Sequence, residues 1–230
     1  MPVLNATVRD FNVFKTSWQG PSYSQLGQDV WVIFQLGRKA NGYFVEIGAG
    51  DGVINSNTCM LERKFNWQGV LVEPRRSAIP SLLANRPLSV KMGYCVIGNK
   101  AWPPGQEHSV PFTEMQWGDL SVQEGYGQDH MALHRQPLDT YPVYAYTLDE
   151  ILHYAQAPKQ IDYMSIDTEG SEYDILAAFD FSRYDIQLLT VEHNFTENRA
   201  KTRALLEANG YFCVDWPEVT AFDDWFIKER

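Results

Sequence analysis

The chain of 230 residues is poor in cysteine, has no long apolar run and carries no surplus of positive charge. Its three cysteines, Cys59, Cys95 and Cys213, are odd in number and far apart. They form neither a disulfide framework nor a zinc spacing, so packed, reduced thiols in a reducing, cytoplasmic compartment are expected. No apolar stretch approaches the ~20 residues of a membrane span. The N-terminus has no basic-then-apolar secretory pattern. No membrane partner is therefore expected. Nineteen basic side chains against 29 acidic ones leave a net charge of −10. A sequence-independent nucleic-acid binder needs a basic face, so the charge argues against that class and no nucleic-acid partner is expected. Repeats and low-complexity tracts are absent.

What is present is an ordinary globular composition, 44% apolar and 21% charged. The length suits a single domain over 1–230, with a substantial core. Residues 1–41 read as a helical lead-in whose first 22 or so residues are irregular, followed by a helix from about Gln28 to Leu36. Gln25, Gln28 and Asp29 serve either to cap that helix or to face a ligand. Tyr43 to Ile47 is a buried strand bounded by Gly42 and Gly48. Gly48, Ala49, Gly50, Asp51 and Gly52 make a turn in which glycine permits sharp bending and close approach. Further strands follow at 69–73, 89–97, 143–146, 161–167 and 186–192, with helices between most of them. The order predicts a doubly wound, mostly parallel α/β sheet. Tyr211–Trp216 and Asp224–Lys228 close the chain as an antiparallel hairpin. Residues 98–142, punctuated by Gly and Pro, predict a lid or substrate insertion with one strand, Val110 to Trp117. His108, His130 and His134 in that insertion have no metal-type spacing and read as solvated.

Four predicted strands end in acids: Glu46, Glu73, Asp167 and Glu192. A doubly wound sheet puts such ends on the rim where ligands bind. Each acid alone is a plausible helix cap. Four together repel one another unless a cation or a ribose lies among them. Glu73, just before Pro74, falls about 20 residues past the glycine turn, which is the ribose-binding position of nucleotide-binding folds. S-adenosylmethionine carries a sulfonium, an amino group and a ribose, and meets this description. The dianionic pyrophosphate of NAD does not suit Glu46 beside the turn. An NAD-dependent Rossmann oxidoreductase and a non-catalytic cofactor-binding module remain the alternatives.

The segments SQLGQD at 24–29, YFVEIGAGDG at 43–52, SNT at 56–58, GVLVEP at 69–74, DYMSIDTEGSEYDIL at 162–176, LLTVEHN at 188–194 and DDWF at 223–226 resemble the FkbM family of class I S-adenosylmethionine-dependent methyltransferases. The resemblance implies a Rossmann-like, seven-stranded sheet with an antiparallel C-terminal strand, and O-methylation of a sugar, glycan or similar hydroxyl acceptor. It implies that Glu46 to Asp51 face the methionine moiety, with Glu46 near its ammonium. Glu73 would hold the ribose, Cys95 and Val96 the adenine, and Gln25, Ser56 and Asn57 would complete the pocket. Asp167 with the Glu192–His193 pair is similar to the metal set of metal-dependent small-molecule O-methyltransferases, with Glu169 as general base. Oxygen ligands suit Mg²⁺, and an imidazole widens the choice to Mn²⁺. Without a metal, Asp167 and Glu192 would position hydroxyls and His193 would be the base.

Overall fold

The computed structural model describes residues 6–98, 108–129 and 131–229. The elements in chain order are α1 (Val8–Ser17), α2 (Gln28–Gln35), β1 (Tyr43–Ile47), α3 (Cys59–Phe65), β2 (Gln68–Val72), α4 (Ile79–Asn85), β3 (Val90–Met92) and β4 (Cys95–Ile97). Then come β5 (Ser109–Met115), β6 (Val122–Gln123), β7 (Pro137–Thr147), α5 (Leu148–Tyr154), β8 (Gln160–Ile166), α6 (Glu172–Ala177), β9 (Asp185–Glu192), α7 (Asn198–Ala208), β10 (Tyr211–Val214), α8 (Pro217–Thr220) and β11 (Asp223–Lys228). No helix among the described residues is long and apolar enough to cross a membrane.

A seven-stranded sheet in the order β10-β11-β9-β8-β1-β2-β3 forms the centre. β3, β2, β1, β8 and β9 run parallel to one another. β11 runs against both of its neighbours, β9 and β10. The strand order reverses direction at β1, and ligands bind at such a switch point.

Strand parity divides the core into two layers, because successive side chains point to opposite faces. Val45, Ile47, Val70, Val72, Met164, Ile166, Leu189 and Val191 pack with Ile151, Leu152, Ile175, Leu176 and Leu206 of α5, α6 and α7. Phe44, Leu71, Tyr163, Leu188 and Trp225 face the other way. They meet Phe11, Trp31, Ile33, Met60, Leu61 and Leu82 of α1 to α4. Both faces are covered, which explains why the central strands read as near-continuous apolar runs.

Two sequence expectations need correcting. The irregular start instead holds α1, closed by a reciprocal capping box. Thr7 Oγ1 accepts from Asp10 N at 3.2 Å, and Asp10 Oδ2 accepts from Thr7 N at 2.9 Å. Phe11 then anchors the helix in the core. The pattern was short and mostly polar, and its apolar face is satisfied only by tertiary contacts.

The region expected as a loop-like insertion contains a second sheet, ordered β4-β7-β5-β6. The single strand expected at 89–97 is broken at Gly93–Tyr94. Its first half pairs with β2 and its second half leaves to pair with β7. Cys95, Ile97, Val110, Phe112, Tyr141, Val143 and Ala145 give this sheet its own core. Residues 99–107 and His130 lie outside the described residues.

Candidate active site

The carboxyl ends of β1, β2, β8 and β9 open into a cleft. Phe112, Gly118, Asp119, Ser121 and Gln123 from the second sheet line its opposite side.

One end of the cleft is formed by the glycine turn after β1 and the residues that end β2. Gly48 N and Ala49 N both donate to Val72 O, at 3.0 and 3.1 Å, so the turn folds against β2. Gly48 has φ +88°, and a Cβ there would lie 1.9 Å from the Asp167 carbonyl oxygen. Only glycine fits at this position. Glu73 Oε2 accepts from Gly50 N at 2.6 Å, and Oε1 accepts from Arg75 N at 2.7 Å. These bonds fix the carboxylate while each oxygen keeps a further lone pair for a hydroxyl. Burial pushes the Glu73 pKa up, and Arg75 and the two backbone donors oppose this. Pro74, Tyr94, Cys95 and Val96 continue the lining.

The other end is acidic. Asp167, Thr168, Glu169, Ser171 and Glu192 line it. Asp167, Glu169 and Glu192 each bring a carboxylate oxygen within 4.8 Å of the others. Glu192 Oε2 is buried without a hydrogen-bond partner. Burial, then neighbouring carboxylates, push Asp167 and Glu192 well above the usual range. Burial lifts Glu169 to about 8, against the pull of Arg135.

The turn that carries these groups is itself well braced. Glu172 Oε1 accepts from Thr168 N, Thr168 Oγ1 and Gly170 N at 2.8, 2.9 and 3.0 Å. Glu169 sits at φ 60°, a conformation that a side-chain-bearing residue adopts at a cost. Arg135 Nη2 reaches Glu169 Oε2 at 2.5 Å, while its Nη1 and Nη2 grip Asp129 at 2.7 and 2.8 Å.

Of the residues predicted for the cofactor, Gln25, Gly48, Ala49, Gly50, Ser56, Glu73, Pro74, Cys95, Val96 and Asp167 line the cleft, whereas Glu46, Asp51 and Asn57 do not. Glu46 differs most from expectation. It has the same strand parity as Phe44, so its side chain points to the α3 side of the sheet. There it accepts from Asn57 N at 2.6 Å, Thr58 Oγ1 at 2.6 Å and Ser56 Oγ at 3.0 Å, with Arg86 Nη1 3.6 Å away. Asp51 Oδ1 caps the turn through Val53 N and Ile54 N, both at 2.8 Å. Asn57 Nδ2 donates to Ser165 Oγ at 2.8 Å. These three shape the turn from behind.

His193 also leaves the expected set. It is buried outside the cleft lining, and its Nδ1 accepts from Phe195 N at 3.0 Å. Its Nε2 faces Asp224 at 3.8 Å. Burial lowers its pKa to about 4, so the ring is neutral at pH 7. Glu169 takes its place beside Asp167 and Glu192. Arg75, Arg86 and Glu172 were not singled out from the sequence, whereas Arg135 stood out there as a polar side chain of the 98–142 insertion. Arg86 and Glu172 had signals there, since a charged residue inside an otherwise apolar or turn segment asks for a partner.

A glycine turn on β1, an acid ending β2 and an acid after β8, around one cleft with a reversed β11, define a Rossmann-like methyltransferase fold. The methyltransferase FkbM domain model matches residues 46–213. The chain belongs to that family of S-adenosylmethionine-dependent methyltransferases. Membership sets aside the oxidoreductase alternative. No curated protein matches the chain in sequence.

Solved structures similar to it include Aeropyrum pernix fibrillarin with natively bound S-adenosyl-L-methionine. That match has 11% identity and a TM-score of 0.46, over 89% of this chain and 73% of that one. Precorrin-6y C5,15-methyltransferase from Geobacter metallireducens matches at 13% identity and TM-score 0.42, over 86% and 87%. The Methanococcus jannaschii fibrillarin pre-rRNA processing protein matches at 9% identity and TM-score 0.42; 83% of this chain spans 66% of that one.

Proposed function

We propose that the protein transfers the methyl group of S-adenosylmethionine to a hydroxyl of a sugar, glycan or similar small molecule, assisted by a divalent Mg²⁺ or Mn²⁺ ion. The supporting observation is one cleft with two unlike ends. Glycines and Glu73 suit the nucleoside, and Asp167, Glu169 and Glu192 suit a sulfonium and an acceptor that must lose a proton.

Methyl transfer to an alcohol is an in-line displacement at carbon. The protein must align the acceptor oxygen and take its proton. Glu169 is the proposed base. It faces the cleft, its turn is braced by Glu172, and Arg135 orients one of its oxygens. Asp167 is placed to accept a second acceptor hydroxyl and hold the approach angle. A neutral sugar offers several such hydroxyls, which a carboxylate-lined end engages as donors.

The residues fit a divalent ion. Asp167, Glu169 and Glu192 each bring a carboxylate oxygen within 4.8 Å of the others, and hard oxygen donors of this kind suit Mg²⁺ or Mn²⁺. The unpartnered Glu192 Oε2 is an available ligand. Asp167 and Glu192 would hold the ion beside Glu169, without His193. An ion bound there would supply Lewis acidity that makes the acceptor hydroxyl easier to deprotonate.

The test is incubation with isotope-labelled S-adenosylmethionine and a panel of sugars and glycans, scored by mass for one added methyl group. A labelled glycan is expected, with loss of labelling in EDTA and in Glu169→Ala. Absence of any labelled acceptor overturns the proposed activity. Labelling indifferent to EDTA removes the ion, and full activity in Glu169→Ala removes the base.

A further inference from the structure

The Glu73 carboxylate can only accept hydrogen bonds, yet each ribose hydroxyl both donates and accepts. A complete ribose site therefore needs a donor beside Glu73. Arg75 is in that position. Its backbone N–H holds Glu73 Oε1 at 2.7 Å, and its Nε lies 3.9 Å from the same oxygen. The side chain is 13% exposed and lines the cleft. Its Nε is buried without an acceptor. A buried donor left unused is costly unless a ligand completes it.

The second sheet holds this guanidinium in place. A Cβ built on Gly118 would fall 1.2 Å from Arg75 Nη1 and 2.4 Å from Cζ, so the guanidinium lies directly on the Gly118 backbone. On its other side, a Cβ on Gly50 would come within 3.6 Å of Nη2. Gly118 belongs to the region expected to cover the acceptor. Asp119 next to it accepts from Asn55 Nδ2 at 3.0 Å, which ties this loop to the segment after the glycine turn. The contacts put the second sheet over the nucleoside end.

We propose that Arg75 is a cofactor-binding residue that completes ribose recognition: its guanidinium donates to the hydroxyl oxygens whose protons go to Glu73, and Gly118 keeps it there. The ligand class is a nucleoside with an intact ribose diol. The positive charge is compatible with a sulfonium cofactor, because Glu73 neutralises it locally and the sulfonium belongs at the acidic end. The inference rests on the family's cofactor and is independent of the acceptor and of any ion.

The experiment is calorimetric titration of the full chain with S-adenosylhomocysteine and with its 2′-deoxy counterpart, without acceptor or added metal. The parent should bind the deoxy ligand about tenfold more weakly, as expected for one lost charge-assisted hydrogen bond. Arg75→Met should bind S-adenosylhomocysteine about tenfold to a hundredfold more weakly and lose most of that discrimination. Arg75→Lys should restore part of both. Gly118→Ala, which displaces the guanidinium, should move both in the direction of Arg75→Met. A structural role alone would weaken both ligands equally and leave their ratio intact. The proposal is overturned if Arg75→Met binds within twofold of the parent, or if the ratio survives intact in Arg75→Met and Gly118→Ala. Strong S-adenosylhomocysteine binding by a parent that labels no glycan would refute the acceptor assignment and leave Arg75 standing.

Discussion

Replacing Arg86 with methionine should be among the most destabilising changes outside the cleft. Arg86 is fully buried. Its Nε donates to Glu62 at 3.1 Å, Nη1 to Gly52 O and Ser56 Oγ at 3.1 Å each, and Nη2 to Thr58 Oγ1 at 2.8 Å. It also lies 3.6 Å from Glu46. Methionine keeps much of the volume and removes every donor and the charge. Two buried carboxylates then lose their cation. Breaking a buried pair this way costs about 3–5 kcal/mol. For a chain of this size, about 2–4 °C of melting temperature is lost per kcal/mol, so a drop of roughly 6–20 °C is expected.

The pH dependence has a definite sign. Burial already raises the Glu46 pKa above its ordinary value, with Arg86 opposing the rise. Without Arg86 the folded pKa rises further, so the unfolded state ionises first and stability falls as pH increases above about 4.5. The gap between variant and parent should therefore narrow on acidification. Calorimetry and urea unfolding at pH 4.5 and 7.5 measure both effects. In a Glu46→Gln, Glu62→Gln background the same substitution should cost about 0.5–3 kcal/mol less. A loss below about 1 kcal/mol at pH 7.5, or a penalty unchanged in that background, would refute the assignment of Arg86 as the counter-ion that holds the turn.

Two further outcomes can be checked cheaply. Gly48→Ala must adopt φ +88° with its Cβ against the Asp167 carbonyl. The backbone alone costs about 1–2 kcal/mol. Separating the ends of β1 and β8 should also weaken S-adenosylhomocysteine binding by at least about tenfold, measured by calorimetry. Cys95 lines the cleft, and its thiol is pushed by burial, then by Glu73, to about 12. Its thiolate fraction at pH 8 is then roughly a thousandfold below that of a free thiol. Iodoacetamide labelling followed by mass spectrometry should find Cys95 unmodified while the chain is folded and modified once it is unfolded in urea.

The sequence alone carried the strand–turn–helix order, the glycine turn and the acids at strand ends. These are written locally, in apolar periodicity, in residues that demand positive φ, and in the spacing from Gly52 to Glu73. The parallel central sheet with its late reversed strand followed from that order and from the family resemblance. Glu73, Asp167, Glu169 and Glu192 fell where expected, because residues at the carboxyl ends of neighbouring parallel strands converge whatever the loops do.

Tertiary structure decided which of the candidate groups face the cleft. Glu46 shares a face with Phe44 and was turned toward Arg86. That arginine comes from the end of α4 and meets the carboxylate on the face that strand parity sets. His193 was drawn under β11 toward Asp224, where burial keeps it neutral. The second sheet was hidden because Gly93–Tyr94 splits β4 from β3, and because β4 and β5 both pair with the distant β7. Its placement set Gly118 on Arg75 and Arg135 on Glu169. Such contacts depend on the packing of segments distant in sequence, and no local pattern encodes them.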